Sequence, residues 1–235
     1  MLSLKKNVEL TIINAFNIPD AWFKCLEKCI SEEKGVYTYK IEKGSYEGKY
    51  RKEFDQVLIN IKNPGFKPLV PEVPEGVPPP CSIDQVNTYA LEYIYLPTKR
   101  VDEQYTYGER INEGNQLEEV IAKLQKSKET NQTCIEVAKP SDMNLDDPPC
   151  LRLIDVRVRY GAVHFFIYFR SWDLYSGLPV NLGGLQILKE HIAKNLDLQD
   201  GTLNAWSKGL HLYDFQWAHA KKVVEGTPTQ KRIMK

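Results

Sequence analysis

The chain has 235 residues, of which 42% are hydrophobic and 26% are charged, an ordinary composition for a soluble globular protein with an ample core. Lys+Arg and Asp+Glu both number 31, so the net charge is zero, which argues against binding nucleic acid or an anionic membrane over a broad surface. No apolar run suits a membrane span, the N-terminus lacks a signal-peptide pattern, and scattered cysteines indicate a reducing compartment. We therefore expect a cytoplasmic protein with one domain over residues 1–235.

The N-terminal segment predicts a strand followed by a helix. Residues 8–16 alternate and are rich in β-branched side chains, which favours a strand. Residues 20–32 carry apolar side chains at helical spacing after Asp20, which could serve as the N-cap. Cys25 and Cys29 lie four residues apart in this helix; a metal pair is conceivable, but no matching His or Cys pair lies nearby. Core packing is therefore the favoured interpretation of both thiols.

A basic segment separates the next two strands. Residues 36–42 and 56–61 have the composition of strands. The loop predicted over residues 43–54 contains Lys43, Lys49, Arg51 and Lys52. These cations and exposed backbone N–H groups could bind a phosphate, although a solvated hairpin loop is the simpler interpretation.

A proline-rich stretch precedes a helix that contains a carboxylate. Residues 64–80 hold too many prolines for regular structure, and their Val and Leu side chains predict a loop packed on the surface. Residues 82–96 predict a helix that is capped by Ser82 and ended by Pro97. Glu92 lies within this apolar helix. It would be a functional candidate if it were buried, and an ordinary surface residue if it were exposed.

The middle of the chain alternates between short elements. Residues 105–111, YTYGERI, place aromatic rings and an arginine around a glycine. Residues 115–129 predict an amphipathic helix, and residues 131–140 predict a short strand. We expect Cys134 to lie in the core, because Ile135 and Val137 continue the strand pattern.

Residues 147–181 organise the rest of the chain. Residues 151–159 and 162–169 predict an apolar β-hairpin with a Tyr-Gly turn. The hairpin brings its two ends together, so Cys150 and Arg170 can share one site. A cysteine at the start of a strand is by itself more often a core residue than a nucleophile, and the sequence contains no Gly-rich phosphate loop or zinc-ligand spacing.

Two elements are predicted after the hairpin. Residues 182–196 predict a helix that follows a Gly-Leu-Pro turn. A strand is predicted around residues 210–215, and its alternation points His211 and Tyr213 to the same face. The remaining tail, residues 221–235, is polar and basic.

Three motifs together resemble the signature of thymidylate synthases and the related deoxycytidylate hydroxymethylases. They are DPPC, which ends at Cys150, RSWDLYSGLPVN at residues 170–181, and HLY at residues 211–213. YTYGER is similar to the Tyr-Gly segment of the family, and the short chain resembles the compact archaeal branch. The resemblance implies an α/β (α+β) fold with a large mixed β-sheet and flanking helices. It also implies a methyltransferase that makes dTMP.

The resemblance implies a role for each matching residue. Cys150 would add to C6 of the uracil ring of dUMP, Tyr107 would assist proton removal from C5, and Glu92 would match the family's glutamate. The implied substrate-binding residues are Arg170 and Ser171 at the phosphate, Asp173 in the cleft, Asn181 at the O4/N3 edge, and His211 and Tyr213 at the 3′-hydroxyl. Asn181 favours dUMP, because the hydroxymethylases carry Asp there, and a carboxyl group pairs with the cytosine amino group.

The chain departs from the family pattern at several places. The arginine pair that reaches the partner subunit's phosphate is replaced by TNQT at residues 130–133, so Arg51 and Lys52 are candidate replacements and a homodimer rests on analogy. The tryptophan-bearing insertion before Tyr107 is missing, and the C-terminal lid is expected to be reduced. The resemblance therefore implies 5,10-methylenetetrahydrofolate or a related reduced pterin as the cofactor, with no metal. A hydroxymethylase and a nucleotide-binding homologue without turnover remain the alternatives.

Overall fold

The structure is a computed structural model that describes residues 7–44, 46–99, 101 and 103–226. The strands are β1 (Leu10–Ala15), β2 (Val36–Lys40), β3 (Tyr50–Phe54), β4 (Gln56–Ile61), β5 (Cys134–Glu136), β6 (Leu151–Arg159), β7 (Ala162–Phe169), β8 (Trp172–Asp173), β9 (Gln199–Ser207) and β10 (Leu210–Tyr213). The α-helices are α1 (Ile18–Ile30), α2 (Ile83–Tyr89), α3 (Tyr107–Asn112), α4 (Gln116–Lys126), α5 (Gly177–Asn195) and α6 (Trp217–Gly226). A π-helical stretch, Ala90–Tyr95, continues α2.

The strands form two sheets. Six strands lie in the order β1-β4-β9-β7-β6-β5, and four lie in the order β2-β3-β10-β8. The six-stranded sheet is mixed, because β1 pairs with β4 and β7 pairs with β9 in parallel, while the other pairs are antiparallel. Helix α5 packs on β7 and β9, and α1 packs on β1 and β4. The predicted large mixed sheet with flanking helices is confirmed. Among the described residues, no helix has both the length and the apolar character needed to cross a membrane.

The hairpin that organises the site has the predicted bounds. Strands β6 and β7 pair antiparallel from Leu151 opposite Phe169 onward. Tyr160 and Gly161 form the turn with positive φ angles of 53° and 73°, the backbone that two-residue hairpin turns favour. Two-residue alternation and a turn dipeptide are local signals, which is why this element was predictable.

Helix α1 begins earlier than predicted because a different residue caps it. The side chain of Asn17 accepts a hydrogen bond from the Asp20 backbone N–H at 3.0 Å, so Asn17 and not Asp20 is the N-cap. Asp20 instead accepts from the Phe16 N–H at 2.8 Å. Cys25 and Cys29 are fully buried in this helix, which confirms their interpretation as core residues.

Other predictions differ from the structure for identifiable reasons. Strand β9 lies at the centre of the large sheet, although three of its four buried positions, Gly201, Ala205 and Ser207, carry small residues and so give a weak apolar pattern. Helix α6 begins before the predicted tail, of which residues 227–235 lie outside the described part of the chain. Cys134 is exposed, not buried, because strand alternation turns its neighbour Ile135 inward instead.

Candidate active site

Cys150 lies where the hairpin's two ends meet. The backbone N–H of Arg170 donates to the Cys150 carbonyl at 2.8 Å, so the predicted proximity of these residues is confirmed. The thiol is half-buried. Burial raises the pKa of Cys150, and Asp147 adds to the increase, while Arg170 and Arg152 oppose it. The net pKa is therefore raised, because burial outweighs the lowering by the two arginines.

The guanidinium of Arg170 holds the segment before the cysteine. Its Nε donates to the carbonyls of Pro148 at 3.1 Å and Pro149 at 3.3 Å, and its Nη2 donates to Asp147 Oδ1 at 2.9 Å. The Asp147 side chain is 76% exposed. An exposed ion pair contributes little free energy, so another anion could replace this carboxylate. Ser171 follows directly and is half-buried.

Tyrosines from two helical segments cluster around Cys150. The Tyr107 hydroxyl accepts from the Leu151 backbone N–H at 3.1 Å, which ties α3 to the residue after the cysteine. The ring of Tyr93 packs edge-on against Tyr107, with centroids 5.0 Å apart, and the ring of Tyr105 stacks on Tyr107 with centroids 6.1 Å apart. Burial raises the pKa of Tyr107 well above its ordinary value, and Cys150 adds to that increase. Burial also raises the pKa values of Tyr93 and Tyr105. The three hydroxyls therefore stay protonated near pH 7 and can serve as hydrogen-bond donors.

A glycine makes the close approach of α3 possible. A Cβ atom at Gly108 would stand 2.1 Å from the Leu96 carbonyl oxygen, a distance that no side chain can occupy. The absence of a side chain at Gly108 therefore lets α3 press against the end of the π-helical stretch. This contact explains in physical terms why a glycine follows Tyr107.

Glu92 lies on the π-helical stretch and is exposed. The burial that would have marked this carboxylate as a functional candidate is not present, and its predicted catalytic role stays a prediction. Tyr89, the last residue of α2, also lies close to the site, and sequence reasoning missed it. Tyr89 stacks on Tyr93 with centroids 5.5 Å apart. Tyrosines four residues apart in a helix share one face, and that spacing is the signal that could have found it.

Asn181 lies in the second turn of α5, and its carboxamide is close to both Trp172 and Tyr89. Its Oδ1 accepts from the Trp172 indole Nε1 at 2.9 Å. The buried Tyr89 hydroxyl has no partner within hydrogen-bond limits among the described residues. Burial raises the pKa of Tyr89, Cys150 contributes to the increase, and the Asn181 side chain opposes it. The Tyr89 hydroxyl is therefore within electrostatic range of both Asn181 and Cys150.

Asp173 caps the start of α5 from outside the helix. Its carboxylate accepts from the backbone N–H groups of Tyr175 at 3.1 Å, Ser176 at 3.3 Å and Gly177 at 3.2 Å. Burial raises the pKa of Asp173, and hydrogen bonds from Gln216 and these backbone groups oppose the increase. The cap explains why α5 begins at Gly177, five positions before the predicted residue 182, since it satisfies N–H groups that the helix leaves unpaired.

His211 and Tyr213 lie on β10 and face the same side, as predicted. The His211 Nδ1 lies 2.8 Å from the Gly209 carbonyl and donates to it, while Nε2 is buried with no partner among the described residues. Burial lowers the pKa of His211 to about 4. The imidazole is therefore neutral near pH 7, with Nε2 available as an acceptor. The Tyr213 ring packs edge-on against it, with centroids 4.7 Å apart.

The two candidate replacement cations lie on strand β3, not in a loop, and they face opposite sides of the sheet. Arg51 lies opposite Tyr213 in the register and is paired with Glu53 at 3.3 Å. Lys52 is paired with Glu32 at 2.6 Å on the other face. Only Arg51 therefore shares a sheet face with His211 and Tyr213.

A buried ion cluster that sequence reasoning missed supports the cysteine segment. Asp142 is 1% exposed and accepts from Arg110 Nη2 at 2.8 Å and Arg152 Nη1 at 3.3 Å. The same Nη1 of Arg152 donates to the Pro149 carbonyl at 3.2 Å. Asp142 is thus connected through Arg152 to the residue before Cys150. Within the described ranges, no group of three or more His, Cys, Asp or Glu side chains could hold a metal ion.

Comparison with known proteins agrees with this architecture. The family model described as "Thymidylate synthase" matches residues 81–235. A Methanosarcina acetivorans protein named "Putative thymidylate synthase" is 30% identical over 226 residues, covering 92% of this chain and 95% of that one. A Methanosarcina barkeri protein of the same name is 29% identical over 227 residues, with 92% and 95% covered.

A solved structure agrees at the level of the fold. Thermostable thymidylate synthase A from Bacillus subtilis aligns with a TM-score of 0.68 at 13% identity, covering 89% of this chain and 84% of that one. The family model spans most of the chain, and the archaeal relatives match it along nearly their whole length. This chain therefore belongs to the thymidylate synthase family.

Proposed function

We propose that the protein is a thymidylate synthase, which converts dUMP to dTMP by reductive methylation. The observation that carries the proposal is the meeting of Cys150, Arg170 and the tyrosine cluster at the open end of one hairpin. A thiol beside cations and protonated hydroxyls suits covalent addition to a polarised ring. Family membership supports the same reaction class, a methyl transfer to a pyrimidine nucleotide.

The nucleotide phosphate would bind Arg170 and Ser171. Asp147, the carboxylate on Arg170, is 76% exposed, so an incoming phosphate can take its place at the guanidinium. A dianionic phosphate makes stronger charge-assisted bonds than one carboxylate. Arg51 is the proposed additional cation on the His211 side of the site.

His211 and Tyr213 would bind the deoxyribose. The buried Nε2 of His211 is an acceptor without a partner among the described residues, and leaving such an atom unpaired costs free energy. A ribose 3′-hydroxyl can donate to it and accept from Tyr213. The neutral state of His211 near pH 7, which follows from its lowered pKa, suits this contact.

Cys150 would then attack C6 of the uracil ring as a thiolate. The new S–C6 bond moves the C5–C6 electron pair toward C5 and O4, where Asn181 donates a hydrogen bond to O4. The Tyr107 hydroxyl would assist removal of the C5 proton, and the S–C6 bond would break at the end of the reaction. Asp173 holds the turn that leads to Asn181, and Glu92 remains the proposed match for the family's glutamate.

The cofactor would be 5,10-methylenetetrahydrofolate or a related reduced pterin. The rings of Tyr93 and Tyr105 both pack against Tyr107, and such an aromatic cluster suits a flat bicyclic ring, since aromatic faces stack on one another. When bound, this group supplies the methylene carbon and the hydride. The protein's tyrosines would orient it and exclude water.

The proposed function is tested with dUMP that carries tritium at C5. The protein is incubated with this substrate and methylenetetrahydrofolate, and tritium release and dTMP are measured together. We expect both products in equal amounts. Tritium release without dTMP would contradict reductive methylation and favour a hydroxymethylase, and bound dUMP with neither product would indicate a nucleotide-binding protein.

We also propose that the chain acts as one domain over residues 1–235 and forms a homodimer. The face of the large sheet opposite α5 exposes apolar side chains, each at least 38% accessible: Leu10, Ile12, Leu58, Phe166 and Trp206. Ile12 pairs with Leu58, and Leu58 pairs with Trp206, so these residues form one patch, of a kind that marks interaction surfaces.

The dimer is tested by sedimentation velocity. We expect the wild-type protein to sediment as a dimer and Trp206→Glu to sediment as a monomer, because a charge at the centre of an apolar interface is costly to bury. Met143→Glu is the control, since Met143 is 87% exposed and lies outside the patch. A wild-type monomer would contradict the proposal.

A further inference from the structure

We propose that Trp172 determines which base the site accepts, by holding the Asn181 carboxamide in the orientation that pairs with uracil and not with cytosine. This inference rests on the proposed function, because it concerns the base of a pyrimidine nucleotide bound beside Cys150. Trp172 is the variable position of the Arg-Ser-x-Asp segment, so the family resemblance assigns it no role.

The orientation of the carboxamide follows from the chemistry of its partner. The Trp172 Nε1 lies 2.9 Å from Asn181 Oδ1. An indole N–H is a donor only, so the amide oxygen must face it and the amide nitrogen must point away. The oxygen keeps a second lone pair and the nitrogen keeps its hydrogens, so the carboxamide can still pair with a base edge.

The indole cannot turn to follow a rotated amide. Trp172 is 2% exposed, and its ring stacks on Phe169 with centroids 4.2 Å apart and an interplanar angle of 6°. Its backbone N–H donates to the Gly209 carbonyl at 2.9 Å, which ties β8 to β10. The donor therefore has a fixed position and direction.

Tyr89 restricts the orientation of the Asn181 carboxamide at its nitrogen end. Its buried hydroxyl interacts electrostatically with the Asn181 side chain and has no partner within hydrogen-bond limits in the described part of the chain, so it can accept from the amide nitrogen. A Cβ atom at Gly184 would stand 2.6 Å from the Tyr89 ring. Helix α5 therefore leaves room for this ring only because Gly184 has no side chain.

The two pyrimidines require opposite orientations of the amide. Uracil presents O4 as an acceptor and N3–H as a donor, which the amide nitrogen and the free lone pair of Oδ1 match. Cytosine presents an amino donor and an N3 acceptor, so it pairs only if the carboxamide turns over. A turned carboxamide would place its N–H groups against the indole N–H, leaving two buried donors facing each other.

The inference is tested by measuring the dissociation constants of dUMP and dCMP by titration calorimetry. We expect the wild-type protein to prefer dUMP and Trp172→Phe to lose about tenfold of that preference, because the amide is then free to turn. Trp22→Phe is the matched control: its buried indole also donates one hydrogen bond, to the Tyr175 carbonyl at 2.9 Å, and its loss should leave the ratio unchanged.

A second variant separates the loss of the indole N–H from any disturbance of the fold. Benzothienylalanine at position 172 keeps the bicyclic shape and lacks only the N–H, and we expect it to relax the preference in the same way. An unchanged ratio in this form, or equal binding of both nucleotides by the wild type, would overturn the role of Trp172 alone. Binding of neither nucleotide by the wild type would overturn the proposed function as well.

Discussion

Replacing Cys150 with alanine is expected to reduce dTMP formation by roughly 10⁴-fold or more while dUMP binding stays nearly unchanged. The thiol would form the only covalent bond between the protein and the ring. Arg170, Asn181 and His211, which would bind the nucleotide, are left in place by the substitution. A loss confined to turnover is the signature of a nucleophile.

The measurement is C5 tritium release together with dUMP affinity by titration calorimetry. Cys134→Ala serves as the control, because Cys134 is the thiol that the structure leaves exposed and it lies on β5, away from the tyrosine cluster. Turnover by Cys150→Ala at a tenth or more of the wild-type rate would contradict the covalent mechanism. Equal losses in both variants would point to a general effect of removing thiols.

Replacing Asp142 with alanine is expected to destabilise the protein by about 3–5 kcal/mol, the range typical of breaking a buried ion pair from one side. The Asp142 side chain is 1% exposed and that of Arg110 is 8% exposed. Removing the carboxylate leaves the Arg110 charge buried without its counter-ion. Arg152 also loses the partner that holds it against the Pro149 carbonyl.

Urea unfolding followed by circular dichroism measures this loss. Glu225→Ala is the matched control, because Glu225 pairs with Lys221 at 3.7 Å with both side chains more than half exposed, and such pairs contribute about 0.5 kcal/mol or less. A loss below about 1 kcal/mol for Asp142→Ala would show that the cluster is not a stabilising pair. Measuring tritium release on the folded fraction tests whether Asp142 also positions Cys150.

The sequence predicted the main residues of the candidate site, but it did not predict all of the residues that position them. The motifs around Cys150, Arg170, Asn181 and His211 stand in the sequence with their spacing, and hairpin pairing is local enough to infer that two of them meet. Tyr89 and Asp142 lie outside these motifs, and Trp172 occupies the variable position of the Arg-Ser-x-Asp segment. Their roles depend on a directed hydrogen bond, a hydroxyl buried between helices and a carboxylate enclosed by two arginines, which exist only after the chain has folded.

The sequence by itself determined the hairpin, the capping of α2 and the family. These depend on alternation, on a capping side chain that acts within three residues, and on motif spacing. Only the tertiary structure decided where β9 lies, that Glu92 is exposed and that Cys134 is not in the core. Each of these depends on which face of an element meets distant parts of the chain. The orientation of Asn181 was decided in the same way, because the indole that directs it is held in place by β10 and Phe169.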